Sequence, residues 1–214
     1  MERQNMFERL GHHPVYVPIL PHNPIVVDGG AGSDGGDYLN RLFNLRPAAV
    51  VLCIEPNPDE ACKLLGISKI SRGQIAVWQG YLTASALLRR LRMCTNRPEG
   101  SSVEGLGKDL DESNESIMVW PITIQAILEC LPRIDVLKLD IEGSEYELLM
   151  YTPRECFSHI GQISIEWHEG IDQVEPMARM ASLGYNYQSA PTAGPGLGTF
   201  YRYKGQHDFD KGLS

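Results

Sequence analysis

At 214 residues, 43% of them hydrophobic and 21% charged, the chain can bury close to three quarters of its unfolded surface in one core and lacks the charge excess that keeps chains disordered. A formal net charge of −8 repels phosphate backbones at long range, which argues against nucleic acid as a partner. No apolar run approaches the roughly 20 residues that cross a bilayer, no leader-like apolar segment opens the chain, and the five cysteines form no CxxC pair. A reducing, cytoplasmic setting without membrane contact is the expectation.

Residues 1–24 read as an N-terminal extension, followed by one domain over 25–205 and a polar tail over 206–214. Within the domain, short runs of β-branched and aliphatic residues predict strands over Ile25 to Asp28, Val50 to Glu55, Gln74 to Trp78, Asp135 to Asp140 and Gln162 to His168. Helical stretches alternate with them: Gly36 to Asn44, Asp59 to Leu65, Thr123 to Cys130, Ser144 to Met150 and Gln173 to Leu183. Arg89, Arg90, Arg92 and Arg97 read as a solvated helix face without function. The polar stretch Asn96 to Ser116 reads as a long loop, either a lid beside the active site or a disordered segment. Gly184 to Gln188 and Thr199 to Tyr203 are joined without a helix and predict an antiparallel hairpin at a sheet edge. Near-continuous apolar strands separated by helices indicate a mostly parallel, doubly wound α/β sheet covered on both faces.

The first of these strands runs into Asp28-Gly29-Gly30-Ala31-Gly32-Ser33-Asp34-Gly35 and then a helix. Gly30, Gly32 and Gly35 spell GxGxxG, a spacing that lets backbone turn tightly and approach a ligand, although glycines in a turn also serve packing alone. Glu55 ends the next strand 20 positions after Gly35, where a carboxylate accepts hydrogen bonds from both ribose hydroxyls of an adenosine. Asp28 bears on which cofactor. A carboxylate just before the glycines opposes a pyrophosphate and suits the sulfonium and ammonium of S-adenosylmethionine, unless it only caps the turn.

Three blocks resemble the FkbM-type methyltransferases: Ile25 to Gly32, Cys53-Ile54-Glu55-Pro56-Asn57-Pro58 and, most specifically, Asp135 to Glu145 with its Lys-x-Asp-x-Glu-Gly-x-Glu spacing. With Ile163 to His168, the matches run in the family's order from about residue 25 to 170. This resemblance implies a Rossmann-like class I methyltransferase fold of seven strands, dependence on S-adenosylmethionine, and O-methylation of natural-product or sugar hydroxyls. It carries the methionine end to Asp28 and to Gly30, Ala31 and Gly32, and the ribose to Glu55. Gln79 and Gly80 become neighbours of the base.

Transfer to an unactivated alcohol needs a base or a metal. His168 and Asp140 end adjacent strands on the ligand side of the sheet, so His168 is the expected general base, acting as a neutral imidazole, and Asp140 its orienting partner. A His bonding a nearby carbonyl is the alternative. Asp140, Glu142 and Glu145 also offer hard oxygen ligands to Mg²⁺, with Asp140 and Glu142 the stronger pair, because Ser144 and Glu145 suit the cap of the following helix. The expected acceptor is a hydroxylated small molecule. An NAD-dependent oxidoreductase, on the strength of the GxGxxG, and a non-catalytic Rossmann-like binding protein remain the competing functions.

Overall fold

The computed structural model describes residues 6–32, 36–70, 74–92, 102–103, 116–168, 170–190 and 196–202. The chain opens with a hairpin of β1 (Phe7–Leu10) and β2 (His13–Tyr16), whose turn holds Gly11 at φ +61°, a conformation that glycine adopts without strain. The central motif follows: β3 (Ile25–Gly29), α1 (Gly36–Leu45), β4 (Val50–Glu55), α2 (Pro58–Ile70) and β5 (Ile75–Gln79). Four short strands come next: β6 (Tyr81–Thr83), β7 (Arg89–Arg92), β8 (Ser102–Val103) and β9 (Ser116–Val119). Then follow β10 (Pro121–Thr123), α3 (Ile124–Cys130), β11 (Ile134–Leu139), α4 (Glu145–Tyr151), α5 (Arg154–Phe157) and β12 (Ile160–Glu166). The last elements are α6 (Val174–Ser182), β13 (Asn186–Ser189) and β14 (Leu197–Tyr201).

Seven strands form the main sheet in the order β13-β14-β12-β11-β3-β4-β5. β14 runs antiparallel to both its neighbours, and the remaining pairs are parallel. Chain order reverses between β3 and β11, so the crevice beyond their carboxyl ends is the switch point at which such sheets bind ligands.

Strand periodicity sorts the core onto two faces. Val26, Val51, Cys53 and Val136 pack with Leu39 and Leu42 of α1 and Leu64 of α2. Val27, Leu52, Ile54, Leu137 and Leu139 pack on the other face with Ile127, Leu148 and Met180 of α3, α4 and α6. Thr123 caps α3 by accepting the Ala126 N–H at 3.2 Å. Among the described residues, no helix is long and apolar enough to cross a membrane.

Three expectations change. Arg89, Arg90 and Arg92 lie in strand β7, not on a helix, and Arg89 pairs with Glu147 at 3.3 Å; Arg97 lies outside the described residues. The stretch from Asn96 to Ser116 is not uniformly loop, because β8 and the start of β9 fall inside it and pair with β7; its residues 96–101 and 104–115 are outside the described set. Residues 7–16, within the expected N-terminal extension, are held firmly to the sheet. Buried Gln162 of β12 accepts the Tyr16 N–H at 2.7 Å and donates to the Tyr16 carbonyl at 3.1 Å, and Thr199 donates to the Pro14 carbonyl at 2.7 Å.

Candidate active site

A cavity of about 400 Å³ opens at the carboxyl ends of β3, β4 and β11, within the range of about 300–1,000 Å³ typical of small-molecule sites. Asp28, Gly30, Ala31, Gly32, Glu55, Asp140, Glu142 and His168 all line it. Gln79 does not. Its side chain is exposed at the end of β5, and Tyr81 and Leu82 form that wall, because the chain turns at Gly80 and β6 brings them back against the crevice.

Asp28 stands directly across from Lys138 in the β3–β11 register, on the same face of the sheet. The ammonium of Lys138 lies 2.9 Å from Asp28 Oδ1, 3.0 Å from the Gly30 carbonyl it donates to, and 3.5 Å from Asp140 Oδ2. Burial opposes the charge on Lys138, but the two aspartates outweigh it and hold the amine firmly protonated. Asp28 is therefore not a bare carboxylate. Its Oδ2 nevertheless has no hydrogen-bond partner among the described residues, which leaves an acceptor for a cationic ligand group.

Gly30 adopts φ +69°, and a Cβ there would lie 1.7 Å from the Asp140 carbonyl oxygen, so glycine is required by packing against the end of β11. The N–H groups of Gly30 and Ala31 donate to the Ile54 carbonyl at 3.0 and 3.3 Å, and that of Gly32 donates to Glu55 Oε2 at 2.9 Å. The three described N–H groups of the turn are thus used inside the protein instead of being offered to a ligand. Ser33, Asp34 and Gly35 lie outside the described residues.

Glu55 accepts the Gly32 N–H on one oxygen and the Asn57 N–H, at 2.8 Å, on the other, which leaves each oxygen further acceptor capacity. Burial pushes its carboxyl up to about 7 despite these two bonds.

On the far wall the tips of parallel β11 and β12 bring Asp140 and His168 together, with His168 Nε2 at 3.7 Å from Asp140 Oδ1 and 3.4 Å from Glu142 Oε2. Nδ1 of His168 lies 2.9 Å from Glu145 Oε1, so its partners are carboxylates and not the carbonyl weighed as an alternative. Burial opposes the charged imidazole, but the Glu145 hydrogen bond and the Glu142 and Asp140 charges raise its pKa to about 9. The expected neutral His168 is corrected accordingly: at pH 7 it rests as imidazolium.

Glu145 caps the preceding loop instead of α4. Its carboxylate accepts the Ile141 and Gly143 N–H groups at 3.0 Å each, while Ser144, at the N-cap position, makes no side-chain cap bond. The loop needs this support, since Glu142 is held at φ +52°, a region that side-chain-bearing residues rarely occupy. Glu145 is engaged in this way, and the side chain that comes together with Asp140 and Glu142 is His168, so the all-oxygen set expected for Mg²⁺ is not formed among the described residues. Burial opposes ionisation of Asp140, but His13, Lys138 and His168 keep its carboxyl well below the usual range.

Three participants had no role in the sequence reading. Lys138 was visible in its motif, but its function depends on the β3–β11 pairing. His12 and His13 come from the N-terminal hairpin: His13 is 1% exposed with Nε2 at 3.4 Å from Asp140 Oδ2, and His12 Nε2 lies 3.2 Å from Glu166 Oε2. The turn residue Gly11 ahead of the short run Val15-Tyr16-Val17 was the available signal for that hairpin.

A seven-stranded sheet in this order, closed by an antiparallel edge pair and carrying its crevice at the switch point, has the architecture of a class I methyltransferase. The profile of the Methyltransferase FkbM domain matches residues 28–187, and the chain belongs to this family of S-adenosylmethionine-dependent methyltransferases. Among solved structures it is similar to the FkbM methyltransferase of Methylobacillus flagellatus KT, with 18% identity and a TM-score of 0.54 over 84% of this chain and 44% of that one. The chain therefore spans less than half the length of that relative. It is also similar to the fibrillarin pre-rRNA processing protein of Methanococcus jannaschii, at 13% identity and TM-score 0.49 over 86% of this chain and 66% of that one. Aeropyrum pernix fibrillarin, in complex with natively bound S-adenosyl-L-methionine, gives 11% identity and TM-score 0.48 over 87% and 68%. At 18% identity the likeness to the first of these is one of fold. No curated protein matches the chain.

Proposed function

We propose that this chain is an S-adenosylmethionine-dependent O-methyltransferase acting on a hydroxyl of a small molecule of natural-product or sugar type. The observation that carries the reading is that one cavity joins an arc of Asp28, Gly30, Ala31, Gly32 and Glu55 to a facing pair, Asp140 and His168.

The residues of the arc suit the cofactor. Glu55 has acceptor capacity left for two ribose hydroxyls, and Asp28 Oδ2 offers an acceptor to the methionine ammonium. The bound cofactor supplies an electrophilic methyl on a good leaving group, so the protein contributes alignment and removal of the hydroxyl proton. Asp140 would orient the acceptor hydroxyl, and His168, once relieved of its resting proton, would take the hydroxyl proton. The same arc argues against NAD, because the described N–H groups of the turn are already bonded to Ile54 and Glu55 and leave a diphosphate without those donors. An acidic chain and a concave cavity of small-molecule size favour a small acceptor over nucleic acid.

Calorimetry with S-adenosylhomocysteine tests the cofactor assignment. Micromolar binding is expected, weakened at least about tenfold in Asp28→Ala and in Glu55→Ala, a loss of roughly 1.4 kcal/mol or more per site. Unchanged affinity in both variants, or a thermal shift with NAD and none with S-adenosylhomocysteine, would remove the reading. Turnover of a panel of hydroxylated acceptors, abolished by His168→Ala and Asp140→Ala, tests the acceptor side.

A further inference from the structure

On the acceptor side of the cavity, four metal-ligating side chains converge from three separate parts of the fold. His12 and His13 come from the β1–β2 hairpin, Asp140 from the tip of β11, and Glu166 from the last position of β12. One donor atom from each can be chosen so that all four lie within 4.8 Å of one another. The two imidazole rings lie with centroids 4.3 Å apart, their planes tilted by 38°. Donors at cis positions of one six-coordinate ion, bound at about 2.1 Å, lie roughly 3.0 Å apart, so side-chain adjustment of about 1–2 Å brings the four onto one ion and leaves two positions open.

His13 supplies the independent indication of a ligand. It is 1% exposed, and neither ring nitrogen makes a hydrogen bond of normal geometry; Nε2 only approaches Asp140 Oδ2 at 3.4 Å. A buried imidazole left in that state costs stability unless something completes it. The nearby cations have carboxylates of their own: Lys138, 3.5 Å from Asp140, is matched by Asp28 at 2.9 Å, and cationic His168, 3.7 Å from Asp140, is matched by Glu145 at 2.9 Å and Glu142 at 3.4 Å, so Asp140 and Glu166 balance a divalent ion.

We propose that His12, His13, Asp140 and Glu166 form a binding site for a first-row transition-metal ion, Zn²⁺ foremost. Two imidazoles with two carboxylates are the donor set of Zn²⁺, Mn²⁺, Fe²⁺ or Co²⁺, whereas Mg²⁺ prefers oxygen ligands alone. His12, His13, Asp140 and Glu166 all line the cavity, so an ion there adjoins the acceptor space. Resting on the methyltransferase reading, the acceptor is then a molecule with two adjacent oxygens, such as a catechol, a vicinal diol or an α-hydroxy acid. It would chelate the ion and present one acidified hydroxyl for methylation.

The test uses the full chain, stripped with a chelator, dialysed against Zn²⁺ or Co²⁺ and assayed for bound metal. One equivalent of Zn²⁺ is expected, with visible ligand-field absorption when Co²⁺ replaces it and no competition from equimolar Mg²⁺. His12→Ala and Glu166→Gln, both at partly exposed positions and checked for native circular dichroism, should each weaken binding at least about tenfold. Absence of a stoichiometric ion, equal competition by Mg²⁺, or binding unaffected by both substitutions would overturn the site. The second arm uses 4-nitrocatechol, whose visible band should shift with the Zn²⁺-loaded protein and not with the stripped protein. Metal binding without that shift would overturn the acceptor class and leave the metal site standing. Loss of S-adenosylhomocysteine binding would instead strike the methyltransferase reading and leave both metal arms intact.

Discussion

The buried carboxyl of Glu55 makes cofactor binding a proton-linked event with a calculable slope. Burial sets its ionisation at about 7, and ribose hydroxyls that donate to it require the carboxylate, so association at acid pH must first expel a proton. The apparent dissociation constant then scales with one plus the ratio of protonated to ionised Glu55. That factor is about two at pH 7 and about eleven at pH 6, and it approaches one above pH 8, so affinity falls close to tenfold per pH unit on the acid side and is flat on the basic side. Isothermal titration with S-adenosylhomocysteine between about pH 5.5 and 8.5, in buffers of different ionisation enthalpy, measures both the constant and the proton released. Glu55→Gln cannot ionise and should bind weakly with no such slope. Glu142, raised by burial to about 7 in the same cavity, adds at most a residual slope, so a wild-type affinity that is flat across the range, or a slope undiminished in Glu55→Gln, would refute the placement of the ribose on this side chain.

The ligand-free protein should show the opposite face of the same linkage. Glu55 ionises at about 7 when folded and near 4.5 otherwise, so the folded state keeps a proton the unfolded chain has lost, and stability falls as pH rises from 4.5 through 7. The cost above pH 7 is on the order of 3 kcal/mol at most, and urea melts of wild type against Glu55→Gln isolate it. Lys138→Met strands the Asp28 and Asp140 carboxylates in the interior and is expected to cost about 3–5 kcal/mol, with Asp28→Asn added on top recovering part of it; a loss below about 1 kcal/mol would show the ion pair to be unimportant. Gly30→Ala forces a side chain into the Asp140 carbonyl at φ +69° and should lower stability by more than about 2 kcal/mol, measurable as a shifted denaturation midpoint at unchanged slope. Gln162→Leu removes both bonds that the amide makes to the Tyr16 N–H and carbonyl, at a cost of about 1–3 kcal/mol, and should raise amide exchange across residues 7–16 more than elsewhere.

The parts of this molecule that could be read from sequence are those whose physics is local. Strands β3, β4, β11 and β12 announced themselves because strands buried on both faces must be apolar throughout, and α1, which follows the first of them, carries one apolar stripe. The glycine turn and Glu55 were legible because a strand, a turn and the next strand tip are joined by a short crossover that fixes their relation. The short strands β6 to β10 were missed for the converse reason: two to four residues give too little period, and β7 is arginine-rich, so its alternation is not one of polarity.

What the sequence concealed about the site is its charge wiring, which is set by contacts between distant segments. Asp28 read alone was a free carboxylate at a nucleotide crevice; opposite Lys138, 110 positions away, it is half of an ion pair that also reaches Asp140. His168 read alone was a neutral base, and among Glu145, Glu142 and Asp140 it is a cation. His12 and His13 enter only because Gln162 fastens their hairpin to β12 across 146 positions. A motif therefore identifies which residues face the crevice, while the protonation state each brings to the chemistry follows from the register of strands that the motif does not contain.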